Sequence, residues 1–288
     1  MMVEMRPLRL AAVAALALAA VTAPSACASA RNYSDPAGPW YETHYGRSSA
    51  GPSGDGEAPA GGAAADTVRV VTFNVAHAER IDRAIEVLSR TPSLAAPDLL
   101  LLQEMDAPGT ERIARALGMN SVYAPVSVHP HDGKDFGNAL LSPWPMERPR
   151  KLLLPHESRA VHQRRAATVA TVLVRGRRLR VYSVHLETLL RLGGSARREQ
   201  AQTLLEDARL SSDPVVIAGD LNSRGLAPLI EAGGYAWLTR DVHDTAGFFD
   251  FDHVFARGLR PAGRPAAGVE ESRGASDHRP VWALLRFD

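Results

Sequence analysis

The sequence predicts an α/β sandwich, with sheets packed together and covered by helices, and three observations carry that prediction. Short apolar runs alternate with segments of helical spacing. Several runs are apolar on consecutive residues rather than on every second one, which implies burial on both faces. Arg175-Gly176-Arg177 lies between two of the runs as a hairpin turn, so at least that pair is antiparallel. Residues 68–73, 99–102, 169–174, 179–184, 215–218 and 281–285 read as strands. Residues 81–88, 111–117 with Gly118 as a stop, and 196–210 have helical spacing with charged outer faces.

Composition narrows the class. The 288 residues carry 33 basic and 32 acidic side chains, 45% hydrophobic residues and one cysteine, which excludes a disordered tail, a collagen-like fibre and a disulfide-stapled miniprotein. Only Lys134 and Lys151 are lysines, so the basic residues are almost all arginine, a bias that GC-rich codon usage explains. A net charge of +1 argues against a surface coated for nonspecific nucleic-acid binding. Residues 148–198 nevertheless hold 13 basic and 2 acidic residues, a local excess that a phosphate-rich partner would favour.

Three regions follow. Residues 1–27 read as a signal peptide: Arg6 and Arg9 precede an apolar stretch from Leu10 to Val21, too short for a spanning helix. Ala23-Pro24-Ser25-Ala26-Cys27 resembles the lipobox of bacterial lipoproteins, from which Pro24 departs; cleavage after Ala28 or Ala30 is the alternative. Export is expected, with lipid anchoring to the cell envelope through Cys27 or release as a secreted or periplasmic protein. Residues 28–65, rich in Gly, Pro and Ala, read as a flexible tether that cannot bury enough surface to fold. Residues 66–288 read as one folded domain, expected to be a monomer whose only membrane contact is an N-terminal lipid.

Within that domain, apolar strands repeatedly end in polar residues that are costly to bury. VRVVTF runs into Asn74, LLLLQ into Glu104, VYSV into His185, and VVIAG into Asp220 and Asn222, while Asp277 and His278 precede RPVWALL. Charged groups are rarely buried without a partner or a metal, so strand ends gathered at one rim would form a polar pocket. Carboxylates with an amide oxygen suit Mg²⁺ or Mn²⁺, and two histidines beside such a metal suit phosphate ester cleavage.

These residues resemble the endonuclease/exonuclease/phosphatase superfamily, whose fold is that of deoxyribonuclease I. TFNVAHAER is similar to the family's opening strand, PDLLLLQEMD to the strand with the metal-binding glutamate, and FGNALLSPWPM to its G-N-A-I-L-S segment. RVYSVHLE resembles the first histidine strand, VVIAGDLNS the aspartate and asparagine pair, FDFDHVFA the aspartate that orients the last histidine, and GASDHRPV the closing S-D-H motif. The resemblance implies a four-layer α/β sandwich, two packed mixed β-sheets flanked by helices. It implies that Glu104, with Asn74 and Asp277, holds a divalent metal, and that Asp220 aligns or deprotonates the attacking water, with Asn222 fixing that water or the phosphate. His185 and His278 would contact the scissile phosphate, with Asp252 holding the tautomer of His278.

The expected function is therefore that of an exported Mg²⁺- or Mn²⁺-dependent phosphoesterase, nuclease-like in cleaving a phosphodiester by in-line attack of water. A lipid-headgroup or inositol-phosphate phosphoesterase of the same fold is the alternative. A surface-displayed binding module without chemistry is the reading from another class. His77 matches a histidine seen after the first strand in bacterial members, although Ala78 stands where glycine is common. His129, His131 and Asp132 read as a solvated loop, with a second metal site or cleft lining as the alternative. Arg164 or Arg165 aligns with an arginine that would reach the cleft.

Overall fold

The structure, a computed structural model, describes residues 29–48, 66–129 and 133–288. Its organising feature is that consecutive apolar residues divide between two cores. In β3 (Thr67–Asn74), Val68 and Val70 face one core while Val71 and Phe73 face another. In β4 (Leu99–Met105), Leu99 and Leu101 divide from Leu100 and Leu102 in the same way. Side chains alternate across a strand, so an unbroken apolar run is what a sheet covered on both faces requires.

Two sheets are built on this rule. The first contains β1 (Arg31–Asn32), β2 (Tyr41–His44), β3, β4, β5 (Asn120–Val128), β6 (Asp135–Ser142), β13 (Leu259–Pro261), β14 (Ala267–Val269) and β15 (Val281–Phe287). Its path runs β1-β5-β6-β4-β3-β15-β13, with β2 also on β5 and β14 also on β15. The second contains β7 (Met146–Glu157), β8 (Arg164–Val174), β9 (Arg177–His185), β10 (Val215–Asp220), β11 (Ala236–Trp237) and β12 (Asp252–Arg257), in the order β11-β12-β10-β9-β8-β7. Both are mixed: β3 with β4 and β9 with β10 are the parallel pairs.

One core lies between the sheets and includes Val70, Leu101, Val181, Val216 and Val254. The outer face of the first sheet packs under α1 (Ile81–Arg90) and α2 (Ala107–Leu117), and that of the second under α4 (Gly194–Arg209) and α5 (Ala227–Ala232). The result is the four-layer sandwich. Each fully buried Leu or Val adds about 1.5–3 kcal/mol of transfer free energy, so all three cores are substantial.

The predicted strands and helices are present, and Gly118 ends α2 in the left-handed conformation. Arg175 and Gly176, both at positive φ, form the turn that makes β8 and β9 antiparallel. β7, with Leu152-Leu153-Leu154 flanked by charged residues and prolines, is an edge strand of the second sheet, a position that tolerates its Pro149 and Pro155.

One expectation is corrected. The tether assigned to residues 28–65 is not free over its first half: β1 and β2 both pair antiparallel with β5. The buried Lys151 ammonium donates to the carbonyls of Tyr33, Gly38 and Pro125 at 3.2, 2.7 and 3.3 Å. Such a segment cannot build a core of its own, but it can add backbone hydrogen bonds to an existing sheet. The second half of that tether, 49–65, and residues 1–28 with Cys27 lie outside the described residues. Among the described residues, no helix is long and apolar enough to cross a membrane.

Candidate active site

Register assembles the site. Asp220 of β10 is paired with His185 of β9 on one side and with Asp252 of β12 on the other. The three therefore form one row across adjacent strands. Strand alternation puts them on the inner face, continuing Val181-Ser183-His185, Val216-Ala218-Asp220 and Asp252-Val254-Ala256. From the facing sheet, Val68-Val70-Thr72-Asn74 runs to the same end. Between apolar core and site lies a buried polar layer. Gln103 donates to Ser183 Oγ and accepts from Thr72 Oγ1, both at 3.3 Å, while Asn138 Nδ2 donates to the Ala166 carbonyl at 2.7 Å.

Local backbone irregularities aim the remaining groups. A β-bulge between Leu102 and Met105 leaves Glu104 at φ 58° and turns its carboxylate into the cleft. Gly219 has φ 149°, and a Cβ there would lie 1.9 Å from the Val184 carbonyl oxygen; only glycine lets β10 approach β9 closely enough for the row to form. Ala76, His77 and Ala78 are all left-handed, so the position expected to favour glycine does adopt the conformation that glycine favours.

Asp220 is the hub. Its Oδ2 lies 3.1 Å from Asn74 Nδ2, 3.4 Å from His185 Nε2 and 3.7 Å from His278 Nε2, and its Oδ1 accepts from the Asn222 amide at 2.7 Å. Burial, with the nearby Asp252 carboxylate, raises its carboxyl to about 7, against the opposing pull of His278, Asn222 and Asn74. His278 Nδ1 donates to Asp252 Oδ2 at 2.8 Å. Burial by itself would lower His278, but the carboxylates of Asp252, Asp220 and Asp277 outweigh it and push the imidazole up to about 10. His185 is treated oppositely. Burial and then the Arg165 guanidinium hold it well below its ordinary value. Arg165 Nη1 contacts His185 Nδ1 at 3.1 Å, and a guanidinium can only donate, so His185 is neutral and carries its proton on Nε2, facing Asp220.

Asn74 donates to Glu104 Oε1 at 3.3 Å as well as to Asp220, while its Oδ1 accepts from the Ala76 amide, so it bridges the two carboxylates as a donor. Asn222, at φ 50°, turns its Nδ2 to the Leu186 carbonyl and fixes the chain after His185. Asp277 is not brought into this arrangement: it is exposed, its Oδ1 accepts from Ser276 Oγ, and it does not line the cleft. His77 and His129 do line the cleft, their rings 4.4 Å apart, with His77 Nε2 3.3 Å from Glu104. His131 and Asp132 lie outside the described residues. Of the two arginines, Arg165 reaches the cleft, and Arg164 pairs with Glu157.

Glu187 was not singled out from the sequence. Its carboxylate takes both Arg165 Nε and Nη2 at 3.1 Å in full burial. Its position two residues after His185 was the available signal, since strand alternation gives both the same face. Part of the arginine excess of 148–198 is paired internally: Arg150 with Asp207, Arg175 with Asp98, Arg178 with Glu147 and Asp213, and Arg165 with Glu187.

The cleft encloses about 820 Å³. Glu104 and Asp220 line the cleft and give it the carboxylate oxygens that Mg²⁺ or Mn²⁺ prefers, while Asn74 reaches both through Nδ2 and its own Oδ1 is taken by the Ala76 amide. Asp220, Asp252 and His278 also converge closely enough to share an ion. Residues 71–278 match the family described as Endonuclease/Exonuclease/phosphatase. The chain belongs to that family. Members of this endonuclease/exonuclease/phosphatase family are generally hydrolases of phosphoester bonds. No curated protein sequence matches the chain at a significant level.

Solved structures of the fold agree. The endonuclease/exonuclease/phosphatase from Beutenbergia cavernae is 24% identical with a TM-score of 0.62, covering 77% of this chain and 72% of its own. Danio rerio TDP2 complexed with single-strand DNA product is 16% identical with a TM-score of 0.60, covering 76% of this chain and 99% of its own. The human Nocturnin catalytic domain with bound sulfate is 19% identical with a TM-score of 0.57, covering 77% and 95%.

Proposed function

We propose that this endonuclease/exonuclease/phosphatase family member is an exported, Mg²⁺- or Mn²⁺-dependent phosphodiesterase. The observation that carries the reading is the hub: one buried carboxylate oxygen, on Asp220, faced by Asn74, His185 and His278. A carboxyl raised to about 7 is matched to taking a proton from water near neutral pH. The hydroxide so formed attacks phosphorus opposite the ester oxygen, which departs with the bonding electron pair as an alkoxide and takes a proton from solvent to become the alcohol. His185 donates from Nε2 as a neutral group, and His278 donates as a cation held by Asp252; together they neutralise charge that grows on the phosphate oxygens. Glu104, with Asn74 beside it, is the residue set for the divalent ion, which when bound supplies charge neutralisation at a phosphate oxygen. Asp277 adds its charge to the field on His278.

Export rests on the N-terminal apolar run and small-residue exit, which the sequence alone supports. Hydrolysis of bis(p-nitrophenyl) phosphate with added Mg²⁺ or Mn²⁺ tests the chemistry. Asp220→Asn is expected to lower the rate by about 10²–10⁴-fold while the circular dichroism spectrum is unchanged. Full activity in that variant, or full activity of the parent in excess chelator, would overturn the mechanism.

A further inference from the structure

Four large apolar side chains stand at the mouth of the cleft and point into solvent. Leu189 and Leu190 are 58% and 92% exposed, and Phe248 and Phe249 are 94% and 62% exposed. All four line the cleft, on two loops far apart in sequence. Scattered exposed apolar residues are ordinary, but a cluster around a functional opening marks a surface that something covers.

Neither loop is arranged by chance. Ala246 and Phe249 exchange backbone hydrogen bonds of 3.0 Å in both directions, so Gly247 and Phe248 are the two residues of a tight turn and Phe248 is held at its tip. Phe249 stacks on Phe251 at 5.0 Å. Leu189 and Leu190 lie on the single turn α3 (Leu189–Leu192), which Thr188 caps and which Arg159 holds from outside by donating its amide to the Arg191 carbonyl at 2.9 Å. The backbone thus fixes these side chains outward.

The chain's own path points to the occupant. Ala30 donates to the Val161 carbonyl at 2.7 Å, and Asn32 Nδ2 to the His162 carbonyl at 2.7 Å. That same 158–163 turn contains Arg159, bonded to α3, and Gln163, which lines the cleft. The described chain therefore begins beside the mouth. Cys27 precedes Ala30 by three residues, a reach of roughly 10 Å, and the apolar run ending at Val21 precedes it by nine, roughly 30 Å. A chain that leaves from Ala30 starts on the side of the molecule where the cleft opens. Arg191 is exposed on the same turn as Leu189 and Leu190, a charge suited to an anionic headgroup layer. Phe248 and Phe249 offer faces on which bases can stack, but Leu189 and Leu190 beside them do not, and Arg150, Arg165 and Arg178 are held by carboxylates. An apolar patch of mixed aliphatic and aromatic side chains favours a bilayer over a nucleic acid.

We infer that Leu189, Leu190, Phe248 and Phe249 dock the mouth of the cleft onto a phospholipid bilayer, so that the diester hydrolysed is the headgroup linkage of a membrane lipid. The substrate assignment rests on the phosphodiesterase reading above; the docking does not.

Full-length protein with Leu190→Asp and Phe248→Asp is compared with the parent on two substrates in Mg²⁺: phosphatidylcholine vesicles containing phosphatidylglycerol, and soluble bis(p-nitrophenyl) phosphate. The ratio of vesicle-lipid to soluble-diester hydrolysis is expected to fall tenfold or more, and Leu190→Phe is expected to retain it. An unchanged ratio overturns the inference, as does a variant that loses hydrolysis of single-stranded DNA while keeping that of vesicle lipid. Docking is read separately from activity by placing an indole at the tip with Phe248→Trp. Its added fluorescence is expected to be quenched by brominated phosphatidylcholine; no quenching overturns the docking. A parent that hydrolyses no soluble diester, yet shows the quenching, sinks the phosphodiesterase reading and leaves the docking standing.

Discussion

Arg165 donates through Nη1 to Nδ1 of His185 at 3.1 Å, and this contact separates the roles of the two site histidines. His278 receives the opposite treatment, with Nδ1 donating to Asp252 at 2.8 Å. Both imidazoles turn Nε2 toward the same Asp220 oxygen, but one is backed by a cation and the other by an anion. Two like groups driven apart by their surroundings serve as a neutral donor and a cationic donor in one cleft.

The Asp252 contact sets an alkaline limit. His278 is raised to about 10, so it is protonated below that value and loses its proton as the pH climbs through it. Asp252→Asn removes the first of the raising influences and leaves burial, which lowers the group. The alkaline limb of the pH profile of kcat/KM is expected to move down by at least ~1 pH unit, equivalent to about 1.4 kcal/mol. An alkaline limb that stays in place would show that His278 does not act as the cation.

Arg165 is held in turn by Glu187, in a buried pair with two 3.1 Å hydrogen bonds. Glu187→Gln leaves the guanidinium buried without its counter-charge, and breaking a buried pair this way costs about 3 kcal/mol. Burial alone would raise the Glu187 carboxyl, but Arg165 and the Thr188 amide hold it below its ordinary range. A carboxyl lowered in the folded state stabilises above its ordinary titration range and loses that contribution as pH falls through the folded value. Urea midpoints of parent and variant should therefore differ most at neutral pH and converge in acid. Equal midpoints at neutral pH would refute the account.

The N-terminal segment hangs on Lys151, whose ammonium meets the carbonyls of Tyr33, Gly38 and Pro125. Lys151→Met keeps the volume and removes the donors. Hydrogen bonds to charged groups are worth about 1.5–3 kcal/mol each, so the unfolding free energy should fall by about 2 kcal/mol or more. Limited proteolysis should cut within residues 29–48 faster than in the parent. Unchanged stability together with unchanged cleavage would mean that β1 and β2 dock independently of this side chain.

Much of this was legible in the amino-acid order. Unbroken apolar runs declare two covered faces, and period two extends each inner row from valine through threonine, serine or alanine to Asn74, His185 and Asp220. The site residues are thus the polar ends of core rows, and the same alternation implicates Glu187, two residues past His185. What order alone could not decide is which charges meet. Arginines of 148–198 count equally toward a basic face and toward internal pairs until the strands bring Glu147, Asp207 and Asp213 beside them. Asp277 and His278 are adjacent in the chain, yet one is exposed and the other lines the cleft, because the chain bends at Asp277. Residues 29–48 have the composition of a linker, but a strand added to a sheet edge is held by backbone groups that every sequence carries. Local sequence determines periodicity and chemistry; proximity, burial and the pairing of charges belong to the register of strands distant along the chain.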